Sequence, residues 1–203
     1  MADAFGGRLG KQDVTAAIRD VESQTAAELV VALRPASGRY HEFSFLAGAL
    51  LAMVVLSLLL FLPQEFEILY FPVWVAAAFV AGAVTTELWP ALHRRLLMKK
   101  RARAQVRLSS RAAFVDLDVS RTRARTGILV YVSSFERMVE AVGDVGLDIH
   151  AAGFSDAISA LEHATAQGDA AAFLAALRSL GPIFSHAHPR AADDANELAD
   201  EMG

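Results

Sequence analysis

Hydrophobic and polar positions divide this chain into three stretches with different periods. Between Lys11 and Gln24, Val14, Ala17, Ile18 and Val21 recur at i, i+3, i+4 and i+7, which predicts an amphipathic helix. The run Ala27–Leu33 follows and reads as a buried strand, closed by Pro35-Ala-Ser-Gly38. The pattern then disappears. Phe43 to Leu62 is 20 residues with no charge, and Ile68 to Thr86 is a second uncharged run. At ~1.5 Å per residue, each makes a helix of roughly 30 Å, the thickness of a bilayer hydrocarbon core. The link Pro63–Glu67 is short enough to enforce an antiparallel hairpin. Pro72 falls in the first turn of the second run, where its missing N–H costs little. Tyr70, Trp74 and Trp89 stand near the span ends, where amphipathic rings favour an interface.

Beyond the hairpin the helical period returns from His93 to about Leu117, with Leu96, Leu97, Val106, Phe114 and Leu117 apolar. Gly127–Ser133 and Met138–Asp144 read as two strands, and the short turn Ser134–Arg137 makes them antiparallel neighbours. Ile128 to Val132 is apolar throughout, as expected of a central strand covered on both faces. Asp156–Ala166 is amphipathic. Gln167-Gly168 stops it, and Asp169 is placed to cap a helix from Ala170 to about Leu180. The tail from His186 is polar and acidic, and is expected to be irregular.

These elements imply an α/β fold: a small mixed sheet flanked by helices and interrupted by a two-helix transmembrane hairpin. One helix and one strand within residues 1–42 cannot close a core alone. Because a hairpin returns the chain to the same side, they can complete the sheet formed later. The expected organisation is residues 1–42 as the first part of the domain and 43–90 as the hairpin, with spans at 43–62 and 68–86. A basic helix follows at 91–118, the rest of the domain at 119–185, and an acidic tail at 186–203.

Composition sharpens this picture in a few places. Apolar residues make up 54% of 203, with 21% charged, and the mean hydropathy is +0.35, as for a polar part averaged with an apolar one. The absence of cysteine excludes disulfides, thiolate catalysis and cysteine-ligated zinc. The first residues, MADAFGGRLGKQDV, lack the pattern of a secretory signal. Net charge is only −4, but its distribution is uneven. Arg94, Arg95, Lys99, Lys100, Arg101, Arg103, Arg107 and Arg111 follow the second span, with no acid between Leu88 and Val115. The link between spans carries two Glu and no base. Basic residues near span ends stay on the cytoplasmic side, so both termini and the soluble domain are expected in the cytoplasm, at a bacterial inner membrane. The same tract suits anionic headgroups, read here as a by-product of topology. Without interleaved aromatic residues it does not indicate nucleic acid. Glu87, beside Trp89, reads as an interfacial side chain rather than an ion path.

Several segments together resemble the TPM domain family. They are Ile18-Arg-Asp-Val-Glu22, Thr25-Ala-Ala-Glu28-Leu-Val-Val31, Arg123-Ala-Arg-Thr-Gly127-Ile-Leu-Val-Tyr-Val-Ser133, Glu136-Arg137 with Asp144-Val-Gly146-Leu147, and Asn196-Glu197-Leu198. They occur in the family's order and cover most of the soluble parts. The resemblance extends to a bacterial subgroup in which a membrane hairpin divides the domain. It implies a sheet of four or five strands between helices. It also implies mixed functions: acid-phosphatase activity and divalent-metal binding in a thylakoid-lumen member of photosystem II repair, and accessory or assembly roles elsewhere, including at nematode acetylcholine receptors. The cytoplasmic placement expected here departs from those lumenal or extracellular settings.

Candidate chemistry is sparse. Glu22, Thr25 and Glu28 straddle the helix-to-strand turn, and such oxygen ligands suit Ca²⁺ or Mg²⁺. The plainer reading has Thr25 satisfying backbone at a helix end, with both glutamates solvated. Asp144, with Asp148 and an acid such as Asp116 or Glu197, has the ligand types to bind metal and activate water. Its plainer reading is a turn Asp bonding its own backbone. Arg137 can grip a phosphate bidentately or pair with Glu136. Arg121, Arg123 and Arg125 offer the same chemistry or simple solvated charge. His186-x-His188 with Asp193-Asp194 has ligand types in the tail. No Gly-rich phosphate loop, Ser/His/Asp arrangement or H-E-x-x-H occurs. The leading expectation is an accessory or assembly module with a membrane-protein partner. The alternative is a divalent-metal-dependent phosphatase-like hydrolase. A channel or transporter subunit would need polar residues inside the spans, and these are nearly absent.

Overall fold

The computed structural model describes Phe5, residues 9–38, 41–62, 67–88 and 99–190. The chain forms two compact units. One comprises residues 38–101; the other is discontinuous, residues 1–37 with 102–203.

In the discontinuous unit, α1 (Lys11–Glu22) leads into β1 (Glu28–Arg34). The chain resumes with the later turns of α4 (Lys99–Asp116), then β2 (Gly127–Ser133) and β3 (Met138–Gly143). Three helices follow: α5 (Phe154–Gln167), α6 (Ala170–Arg178) and α7 (Leu180–Ser185). The sheet has three strands in the order β1-β2-β3 among the described residues. β1 pairs in parallel with β2, Glu28 opposite Gly127 through Arg34 opposite Ser133, and β2 pairs antiparallel with β3. Parallel strands need a long crossover, and here it includes the whole hairpin unit.

Every residue of β2 is buried, as expected of a central strand with both faces covered. On one face Leu29, Val31, Ile128, Val130, Val132 and Val139 meet α1, α5, α6 and α7 through Ile18, Leu161, Phe173 and Leu180. On the other, Val30, Ala32, Leu129 and Tyr131 meet Val106 and Ala113 of α4, and Val119 just beyond it. The alternation of one strand thus supplies two cores, giving three layers: helices, sheet, helix.

Local signals act as expected at the α5–α6 junction. Gly168 ends α5 in the left-handed region at φ 72°, a conformation cheap only for glycine. Asp169 then caps α6, its Oδ1 accepting from Ala172 N–H at 3.0 Å. The helix expected from Ala170 to about Leu180 is α6, and a second short helix, α7, follows it after Ser179. The described part of the tail is irregular, with one isolated bridge. Up to Arg190 it is ordered by the fold: Thr25 and Pro189 form a β-bridge, and Ala26 N–H donates to His188 O at 2.9 Å. The three strands and this bridge stand where the resemblance implied four or five strands.

The hairpin unit holds α2 (His41–Phe61) and α3 (Phe71–Leu88), the latter preceded by a 3₁₀ turn at Ile68–Tyr70. Both helices are long and apolar enough to cross a membrane. Only 17% of Ser44–Phe61 and 6% of Ile68–Thr86 is buried, which distinguishes them from core helices of a soluble fold. They meet through small residues. A Cβ on Gly48 would lie 2.6 Å from Phe79 O, and one on Gly82 would lie 2.9 Å from Gly48 Cα, so the backbones touch there. Phe45 and Phe79 stack beside this crossing, 6.3 Å apart. Ser57, Thr85 and Thr86 each donate to the carbonyl four residues back, at 2.8, 2.7 and 2.9 Å, satisfying their hydroxyls within the helix. Trp89, Arg94, Arg95, Leu96 and Leu97 lie outside the described residues.

Candidate functional site

The α1–β1 turn collects the first candidates. Glu22 and Glu28 are both buried, against the expectation that they are solvated. Glu22 Oε1 accepts from Leu29 N–H at 3.1 Å and thereby anchors the start of β1. Arg190 donates to Glu22 O at 2.7 Å. Thr25 Oγ1 accepts from Ala27 N–H at 3.2 Å and donates to His188 O at 2.7 Å, so its hydroxyl fastens the turn and the returning tail together. Glu28 N–H donates to Thr126 O at 3.3 Å at the first rung between β1 and β2. The polar groups of this turn hold segments 163 positions apart in sequence.

Asp144 follows β3. Its Oδ1 accepts from Val145 N–H at 2.7 Å, and its backbone closes a tight turn with Leu147 at 3.0 Å. Its Oδ2 lies 2.9 Å from Arg125 Nε, the carboxylate being 3% exposed and the arginine 52%. Arg125 adopts φ 58° in the turn before β2, and its carbonyl accepts from Gly146 N–H at 2.9 Å. Side chain and backbone therefore both tie the β2 approach to the β3 exit. This agrees with the reading of Asp144 as a turn residue. Asp148 Oδ1 caps its own turn, accepting from His150 N–H at 2.9 Å.

At the opposite end of the sheet lies a polar group that sequence reasoning passed over. Glu136 does not pair with Arg137. Its carboxylate accepts from Ser133 Oγ and, at 2.9 Å, from Ser37 N–H. Ser37 Oγ in turn bonds Ser133 Oγ at 2.6 Å and lies 3.2 Å from Tyr131 Oη. Gln105 and Ser109 of α4 donate to Ser37 O at 3.1 and 2.9 Å. The signal available in sequence was Tyr131 and Ser133, two polar-tipped residues on one face of an otherwise apolar strand. Arg137, in the left-handed region at φ 54°, donates to Ala166 O at 2.7 Å near the end of α5. It thus satisfies a helix-terminal carbonyl. Of the other arginines, Arg121 pairs with Asp118 at 2.9 Å.

Glu22, Glu28 and Asp144 thus fall at one end of the sheet, where β1 begins and β3 ends, and Arg137 at the other. Among the described residues, no three of His, Asp and Glu are placed to hold a metal ion. Glu22 Oε1 and Asp144 Oδ1 each accept from a backbone N–H, and Asp144 Oδ2 lies against the Arg125 guanidinium. Asp193, Asp194 and Glu197 lie outside the described residues.

Comparison with known proteins supports the architecture. No family model matches the chain, and no curated protein matches it in sequence. Among solved structures, the NMR structure of the BA42 protein from the psychrophilic bacterium Bizionia argentinensis is similar. The TM-score is 0.55 at 15% identity, over 95% of this chain and 90% of that one. At that identity the likeness is one of fold. The chain is a mixed α/β protein with a three-stranded mixed sheet flanked by helices, and it carries two helices capable of spanning a membrane.

Proposed function

We propose that this protein is a membrane-anchored accessory module: a TPM-like α/β domain that helps to assemble or maintain a membrane protein complex. The observation that carries the reading is the use of the polar residues. Glu22, Thr25, Asp144, Glu136 and Arg137 each hold one chain segment to another, which gives a body whose named polar groups are engaged within the fold. Such a body is suited to presenting a surface rather than to turning over a substrate. The two apolar, little-buried helices serve as its anchor in a bacterial cytoplasmic membrane. The basic residues after the second span favour a cytoplasmic position for both termini. The five segments in family order, and the fold shared with BA42, support the TPM assignment.

The test is purification from gently solubilised membranes after cross-linking in the cell. A defined membrane-protein partner in near-stoichiometric amount is the expected result, and a solitary protein overturns the proposal. Phosphomonoester turnover with Mg²⁺ or Ca²⁺, lost in Asp144→Asn, would replace it with the hydrolase reading.

A further inference from the structure

The exposed face of α4 has a composition that the basic tract alone did not reveal. Its opposite side packs on the sheet through Ala102, Val106, Ser110 and Ala113. On the outer side Leu108 and Val115 are 64% and 68% exposed. They stand seven residues apart, two turns along one face, with the exposed Ala104 and Ala112 beside them. Lys100 and Arg111 flank this stripe, Lys99 opens the helix, and none of the three has an anionic partner among the described residues. Other basic residues of the helix are engaged: Arg101 with Glu42 at 2.7 Å, Arg103 with Glu162 at 2.7 Å, and Arg107 with Glu140 at 3.7 Å. No acid occurs in the helix before Asp116.

We infer that this face of α4 docks on the anionic surface of the same membrane that holds the hairpin. A stripe of exposed apolar side chains between unpaired cations is the pattern of a helix lying in the headgroup region. Only two of its apolar residues are large, so apolar burial alone is weak and the cations must supply the rest. That makes the contact specific for anionic lipid. Residues 89–98 are all that separates α4 from α3 in sequence, and they include Arg94 and Arg95, which extend the basic stretch. A docked α4 would fix the angle at which the α/β unit is presented to a partner, turning a tether into a mount. The inference rests on the hairpin being inserted.

The absence of cysteine allows single-cysteine labelling of the full chain. Leu108→Cys, Val115→Cys, Val145→Cys and Val54→Cys would each carry an environment-sensitive fluorophore. The proteins would be placed in bilayers of phosphatidylcholine alone or with roughly one-third phosphatidylglycerol, with lipid-borne quenchers. Probes at 108 and 115 are expected to be quenched in anionic bilayers and much less in neutral ones, while the probe at 145 stays in water in both. Adding Lys99→Gln, Lys100→Gln and Arg111→Gln should weaken docking roughly a hundredfold, about fivefold for each cation. Quenching at 108 and 115 no greater than at 145 overturns the inference, as does quenching that the triple substitution leaves unchanged. So does protection at 108 and 115 that requires added membrane protein, which would assign the face to a protein partner. The probe at 54 reports insertion separately. If it is quenched in both lipids while 108 and 115 remain in water, α4 docking fails and the anchor stands. If it remains in water, both fail.

Discussion

The two units are built from similarly apolar segments and treat them in opposite ways. β2 buries all seven of its residues, whereas the 18-residue stretch Ser44–Phe61 is only 17% buried. In the α/β unit, apolar side chains from five helices and three strands cover one another, so the unit carries its own cohesion. In the hairpin, two helices touch closely at Gly48 and Gly82, and most of the large apolar side chains described on them are exposed. Burial of apolar surface has to be completed from outside, and the hydrocarbon of a bilayer is a solvent able to do so. Cohesion of one unit is internal and that of the other environmental, which is why the same substitution should have different consequences in each.

The largest contrast should come from charge. Val54→Asp with Leu58→Asp places two carboxylates on exposed positions of α2. In water these are harmless, but near a bilayer centre they cost about 6 kcal/mol of insertion. Fractionation should move the variant out of the membrane pellet while the α/β unit still unfolds at its usual urea concentration. Retention in the membrane at wild-type level would break the comparison. Next, Phe173→Ala removes a fully buried ring that meets Phe5 edge-on at 5.7 Å. It should destabilise the α/β unit by about 4 kcal/mol, read by urea unfolding in micelles, whereas Leu50→Ala on exposed α2 should change that transition negligibly.

A smaller effect tests the sheet's own turn. Arg125→Gln leaves the buried Asp144 carboxylate without its cation, and Asp144→Asn removes the charge that needed one. Each should cost about 1–2 kcal/mol, with the double variant costing less than the sum. Strict additivity in that cycle would show the pair to be uncoupled. The smallest is Asp169→Ala, which removes the α6 cap for about 1 kcal/mol and should shift the thermal midpoint of the α/β unit without changing its membrane fraction.

Much of the architecture was legible in the chain. The uncharged runs specified α2 and α3 because crossing a bilayer is a matter of length and composition. The unbroken apolar run in Ile128–Val132 specified a strand covered on both sides, and Gly168-Asp169 specified a helix stop and start, because those signals act within a few residues. Side-chain duties were not legible on the same terms. Glu22 and Glu28 read as solvated by residue type, yet lie buried because the sheet and the returning tail cover them. Arg137 read as a partner for its neighbour Glu136, and each bonds elsewhere: Arg137 to the end of α5, Glu136 to Ser37.

By itself, then, the sequence determined which segments are helix or strand and which helices are long and apolar enough to span a membrane, since periodicity, hydropathy and caps are local properties. Only the tertiary structure decided that β1 pairs in parallel with a strand some hundred positions later, with the hairpin unit in the crossover between them. It alone decided that the carboxylates would close turns, and that Leu108 and Val115 would face outward while Val106 and Ala113 faced the sheet. Those outcomes depend on which distant surfaces meet, and the partners of a side chain are set by packing across the whole chain rather than by its neighbours in sequence.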